Sequence, residues 1–155
     1  MVEELAPLQI DVTLSPSAPA VDIERLERLL RFAAHHEKVN ESEVGIWVNT
    51  DAEIADLHER YMGVEGPTDV MSFPAAESPV REGYLGDIAV SYETAARQAK
   101  EAQHAQGREI AYLTLHGLLH LLGYEDRSPE QWSRMIARQD ALLVAFEREY
   151  PGVWS

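Results

Sequence analysis

Two histidines four residues apart, His116 and His120, stand in the stretch His116-Gly117-Leu118-Leu119-His120-Leu121-Leu122-Gly123-Tyr124-Glu125-Asp126. Residues at i and i+4 of a helix project from one face, so both imidazoles can reach one ion. The same pair can also be two polar residues at the edge of an apolar helix. Two features favour the ion. Leu113, Leu115, Leu118, Leu119, Leu121 and Leu122 surround the pair, and imidazoles buried among them need partners to offset lost hydration. Gly123 lies three residues after His120 and lets the chain reverse, so that Asp126, three further on, can return to the same ion. This is the spacing of the extended zinc motif HExxHxxGxxH, whose third ligand lies beyond the glycine. Three protein ligands leave the fourth position of a tetrahedral zinc open, as in catalytic sites. One Zn2+ per chain on His116, His120 and Asp126 is therefore expected.

Gly117 occupies the place of the glutamate that serves as base in HExxH peptidases, so a peptidase of that design lacks its base. Asp69 and Asp87 are the candidates for a catalytic base or for a carboxylate that orients a metal-bound histidine. Each also has a local explanation, Asp69 in a Thr-Asp turn and Asp87 at a strand start. The other histidines, His35, His36, His58 and His104, are expected at the surface.

The elements that must position these residues follow from periodicity and capping. Gln9 to Leu14 alternates as a half-buried strand that Pro16 and Pro19 break. Asp22 can cap a helix carrying Ile23, Leu26, Leu29, Leu30 and Ala33 to about His36. Val44 to Asn49 reads as a strand, and Thr50 with Glu53 as a capping box for a helix that ends near Gly63. Asp69 to Phe73 is a short strand ended by Pro74, with a loop from Ala75 to Gly83. Leu85 to Ser91 is a fourth strand. Ser91 caps an alanine-rich helix to about Gln106, which Gly107 breaks, and the helix of the histidines runs from about Arg108 to Leu122. Ser128-Pro129-Glu130-Gln131 opens a last helix that runs to about Tyr150. The expected fold is α/β or α+β, a small mixed four-stranded sheet packed with about five helices, one of them a zincin-like metal helix.

The 155 residues suit one domain spanning 1–155, and 45% hydrophobic with 26% charged residues is a globular composition. Cysteine is absent, so any metal sits on nitrogen and oxygen. The start, Met1-Val2-Glu3-Glu4-Leu5, lacks the pattern of a secretory signal, and a cytoplasmic location is expected. The longest uncharged run, Ile110 to Tyr124, is shorter than the roughly 20 residues of a membrane span and carries both histidines, so no membrane association is expected. A formal net charge of −14 disfavours an electrostatic grip on nucleic acid. Arg25, Arg28 and Arg31, and Arg97 with Lys100, read as solvated helix faces.

With these residues in view, the sequence resembles the YbeY family. His116, Gly117, Leu119, His120, Leu121, Gly123 and Tyr124 match its motif HGxLHLxGYDH, with Glu125 in place of the aspartate. Pro67-Thr68-Asp69-Val70-Met71-Ser72-Phe73-Pro74 is similar to its PTDVLSFP, and Leu85-Gly86-Asp87-Ile88 to its LGDI. The resemblance implies a zinc-dependent endoribonuclease for single-stranded RNA, acting in maturation of the 3′ end of small-subunit ribosomal RNA and in ribosome quality control. Its implied partners are ribosomal RNA and the ribosome or assembly proteins, not DNA. Two other readings remain beside it: a metal-dependent peptidase with an unconventional base, and an assembly factor with a structural zinc. The chain departs from the pattern twice. The family's third ligand is usually histidine and here is Asp126, which lowers the charge of the site by one and should make a bound water less acidic. Met62 stands where the family often has arginine after an aromatic residue, here Tyr61.

Overall fold

The apolar alternation at Ile10, Val12 and Leu14 becomes the first strand, β1 (Leu8–Leu14), in a computed structural model that describes residues 7–18 and 21–155. The acidic start read above and Pro19 lie outside the described residues. Helix α1 (Ile23–His36) follows, with the Asp22 carboxylate accepting from the Arg25 amide as its cap, and leads to β2 (Ser42–Asn49). The Thr50–Glu53 capping box opens α2 (Asp51–Met62), which ends on left-handed Gly63 at φ 68°. Then come β3 (Val70–Pro74), β4 (Gly83–Ser91), α3 (Tyr92–Ala102), α4 (Gln106–Leu121) and α5 (Pro129–Glu149).

The strands lie in the order β1-β2-β4-β3, with β1, β2 and β4 parallel and β3 antiparallel to β4. The sheet is therefore mixed and four-stranded, and the architecture is α+β. Side-chain alternation splits it into two faces. Val44, Ile46, Val48, Ile88 and Val90 join the leucines of α1, α4 and α5 in the main core. Met71 and Ala89 face the other way and pack with Ile54 of α2, with Leu57 and Phe73 alongside. Helix α4 is enclosed for most of its length, since Ile110, Ala111, Leu113, Leu115, Leu118, Leu119, Leu121 and Leu122 are buried.

Several boundaries differ from those expected. Helix α3 stops at Ala102 because Gln103 takes the left-handed conformation at φ 59°, and the amides of Gln103 and His104 close the end on Lys100 and Ala99 carbonyls. Gly107 breaks nothing: it lies in the first turn of α4. Pro74 is the last residue of β3, at an edge of the sheet where its missing amide proton costs no ladder bond. Strand β4 begins at Gly83, because β2 pairs with it from Ser42 onward.

Four of the arginines singled out above are engaged within the fold. Arg25 pairs with Asp22, Arg31 with Glu27 and Arg97 with Asp51, while the Arg28 guanidinium lies 5.1 Å from the Tyr150 ring centroid. No helix among the described residues is long and apolar enough to cross a membrane.

One contact sets the height of α4 above the sheet. A Cβ added at Gly117 would lie 2.6 Å from Ile88 Cγ2, closer than carbon atoms approach, so glycine is what lets the helix settle on β4. Gly117→Ala should therefore lower the thermal unfolding midpoint. Overpacking of a rigid core costs about 1–3 kcal/mol, more than the gain of about 1 kcal/mol in helix propensity. Gly107→Ala, where nothing lies within 4 Å, should be neutral or raise the midpoint. Circular dichroism melts of both variants check this, and equal behaviour would remove the packing argument.

Candidate metal centre and its cleft

On α4 the two imidazoles stand one turn apart, with ring centroids 4.7 Å apart and planes at 81°. The helix closes on Leu122, and Gly123 at φ 107° turns the chain back, with the Tyr124 amide donating to the Leu119 carbonyl. This reversal returns Asp126, whose Oδ2 lies 3.2 Å from His120 Nε2. His116, His120 and Asp126 each offer a ligand atom within 4.8 Å of the others, and among the described residues they form the group able to hold a metal ion. Glu125 is held elsewhere, its carboxylate accepting from Gln131 Nε2 at 3.2 Å.

Hydrogen bonds fix which nitrogen of each ring faces the centre. Gln139 Nε2 donates to the Tyr112 carbonyl at 3.1 Å, so its Oε1 faces His116 Nδ1 at 2.7 Å as an acceptor. His116 therefore carries its proton on Nδ1. His120 Nδ1 likewise lies 3.0 Å from the Tyr124 carbonyl, which can only accept. Both Nε2 lone pairs are left for an ion, the arrangement that orients metal-binding histidines elsewhere. Burial, with the neighbouring His120, pushes the His116 imidazole below its ordinary pKa, against the opposing pull of Gln139, Asp126 and Asp69. The neutral, ligating form is thus favoured. The donor set, two nitrogens and one carboxylate oxygen with one side exposed, fits zinc in a three-ligand site.

The loop that carries the Tyr124 carbonyl and Asp126 is tied down on both sides. The Tyr124 hydroxyl donates to Glu37 Oε1 at 2.8 Å, and Arg138 Nε donates to Glu37 Oε2 at 2.6 Å. Glu37 is buried, so this carboxylate at the end of α1 clamps the loop and α5 together. On the far side Ser128 and Gln131 form a capping box at the start of α5.

The histidines open into a cleft of about 790 Å³ between α4, the start of α5 and the β3 edge. Asp69 lines it, with Oδ1 accepting from the Val70 amide and Oδ2 from Gln98. Asp87 does not. It lies across the sheet beside Gly45 and Trp47, in a different cavity of about 460 Å³, and accepts a hydrogen bond from the Tyr84 hydroxyl. Met62 is exposed on the rim of the metal cleft. His58, expected at the surface, is half-buried in the cleft wall, its Nδ1 3.0 Å from the Gly66 carbonyl. His104 is also half-buried, bonded to Glu109. Gln139, Glu37 and Trp132 were not singled out from sequence. Gln139 had a signal, being an amide on the apolar stripe of Met135, Leu142 and Phe146, where burial demands a partner.

Comparison with known proteins identifies a family. The sequence profile of the family described as Endoribonuclease YbeY matches residues 17–147. Proteins named Endoribonuclease YbeY from Thermobifida fusca and Chloroflexus aggregans are 40% and 42% identical, over 91% and 81% of this chain and 96% and 88% of theirs. One from Moorella thermoacetica is 43% identical over 77% of this chain and 83% of its own. A solution structure from Thermotoga maritima matches the fold with a TM-score of 0.60 at 24% identity, covering 93% of this chain and 99% of that one. The order of motifs, the family profile and a similarity of 40% or more over most of the chain lead to one conclusion: the chain belongs to the YbeY family.

Proposed function

We propose that this chain is a zinc-dependent endoribonuclease that cuts single-stranded RNA in the cytoplasm, in maturation of the small-subunit ribosomal RNA 3′ end and in ribosome quality control. Its partners on this reading are ribosomal RNA and the ribosome or its assembly proteins. The observation that carries the reading is the converging group of His116, His120 and Asp126, with both Nδ1 atoms tied back, at the floor of an open cleft. Relatives of closely similar length bear the name endoribonuclease.

His116 and His120, with Nδ1 tied back, would hold a metal through Nε2, and Asp126 through a carboxylate oxygen. A bound divalent ion supplies Lewis acidity toward a phosphoryl oxygen. Asp69, which shares the cleft, is the side chain we assign to accept a proton from the attacking hydroxyl. Gln98 and the Val70 amide hold its carboxylate in a fixed orientation. Asp87 has no part, being across the sheet.

One observation weighs against a purely structural zinc. The exposure of Asp126 leaves one side of the centre open, which suits catalysis better than a closed structural zinc.

Metal analysis should find about one zinc per wild-type chain and loss of it in His116→Ala and His120→Ala. Chelator competition should rank Asp126→His near wild type, Asp126→Ala much weaker and Glu125→Ala unchanged. Gln139→Leu should bind zinc about 10–100-fold more weakly, because the His116 ring loses its anchor. Stoichiometric zinc in the histidine variants would remove the site.

For the activity itself, a labelled single-stranded RNA should be cut by the zinc-loaded protein and spared when a chelator is present or a complementary strand is annealed. Asp69→Asn should reduce the rate about 10²–10⁴-fold while zinc stays bound. Failure of the zinc-loaded protein to cut any RNA would overturn the reading.

A further inference from the structure

We propose that Trp132 is the platform on which the nucleobase beside the cleaved bond stacks, a role that rests on the RNA-cleaving reading above. Trp132 belongs to the apolar stripe of α5, three residues before Met135 and seven before Gln139, both of which are buried. Its own position is at the end of that stripe, where α5 overhangs the cleft, and the indole is 48% exposed. Its ring centroid lies 5.9 Å from that of His116, with the planes at 60°, so the exposed ring forms a wall directly beside the metal ligands.

The charge of the cleft makes such a surface necessary. Asp69, Glu77, Glu109, Glu125 and Asp126 line it against a single arginine, Arg127. Phosphate neutralisation, the usual source of affinity for nucleic acid, is therefore weak here, and Met62 adds no cation. Stacking on an aromatic ring does not depend on charge, and every nucleobase offers a face for it. A base can reach Trp132 only if it is splayed out of a helix, so the same contact selects unpaired RNA. The adjoining ligands place the phosphate of the stacked nucleotide at the metal centre, so the indole both binds the strand and sets its register.

The test uses zinc-loaded wild type and the variants Trp132→Ala and Trp132→Phe with a single-stranded RNA carrying 2-aminopurine at successive positions. Stacking should quench the probe at one position, next to the bond that is cut. The quench should vanish in Trp132→Ala and persist in Trp132→Phe. Loss of the ring should raise KM about 5- to 150-fold, the range for one stacked base, with little change in kcat and full zinc content. An abasic nucleotide at that position should raise the wild-type KM by a similar factor and add nothing to Trp132→Ala.

An unchanged KM in Trp132→Ala would overturn the proposal, as would indifference of wild type to the abasic site. So would a fall in kcat with loss of zinc, which would mark the indole as a cover for His116. Position-specific quenching by wild type without cleavage would support the stacking contact and overturn the hydrolase reading instead. No binding of RNA at all would overturn both.

Discussion

The seating of α4 on β4 at Gly117 and Ile88 is the contact on which the rest of the site depends. With no side chain at position 117, the helix approaches the sheet closely enough to bury its leucines on nearly all sides. One stripe of the helix, with Tyr112, His116 and His120, stays half-buried, and its histidines face the gap beside the β3 edge. Asp69 enters the same gap because it immediately precedes β3, which pairs with β4 in fixed register. Helix height and strand register together thus bring the histidines and Asp69 into one cleft, although no hydrogen bond joins them directly.

The second level of organisation is a set of polar contacts that removes freedom from the candidate metal-binding groups. Gln139 fixes one ring, the Tyr124 carbonyl fixes the other, and Glu37 fixes the loop that carries Tyr124 and Asp126. Each partner is itself held, Gln139 by the Tyr112 carbonyl and Glu37 by Arg138. A centre prepared in this way would spend little free energy on reorganisation on binding an ion.

What was legible in the sequence was local. The caps at Asp22, Thr50, Ser91 and Ser128 all form, because a side-chain oxygen three residues before an exposed amide has few alternatives. The pair His116 and His120, the turn at Gly123 and the return of Asp126 follow from helix geometry alone. What depends on tertiary placement was not legible. Asp69 and Asp87 looked alike, each at a strand start, and only the alternation of side chains along β4 puts Asp87 on the opposite face of the sheet. Gln103 ends α3 in a conformation that favours glycine, while Gly107 four residues later is helical, because closure of the helix on its own carbonyls decided the boundary. Glu37 and Arg138 meet across most of the chain, a separation no local pattern encodes.

That α5 follows α1 and α4 along the chain gives the site a place in the order of synthesis. The strands and α1 can associate early, and α4 then emerges with His116 lacking its anchor, because Gln139 is 23 residues further on. Contacts between distant parts of a chain form late, since the loop between them must be closed first. The clamp at Glu37 waits longer, as its arginine follows 101 residues behind. On the reading proposed above, a growing chain that has exposed α4 but not α5 lacks both the amide that orients His116 and the arginine that completes the clamp at Glu37, so its centre is not yet prepared.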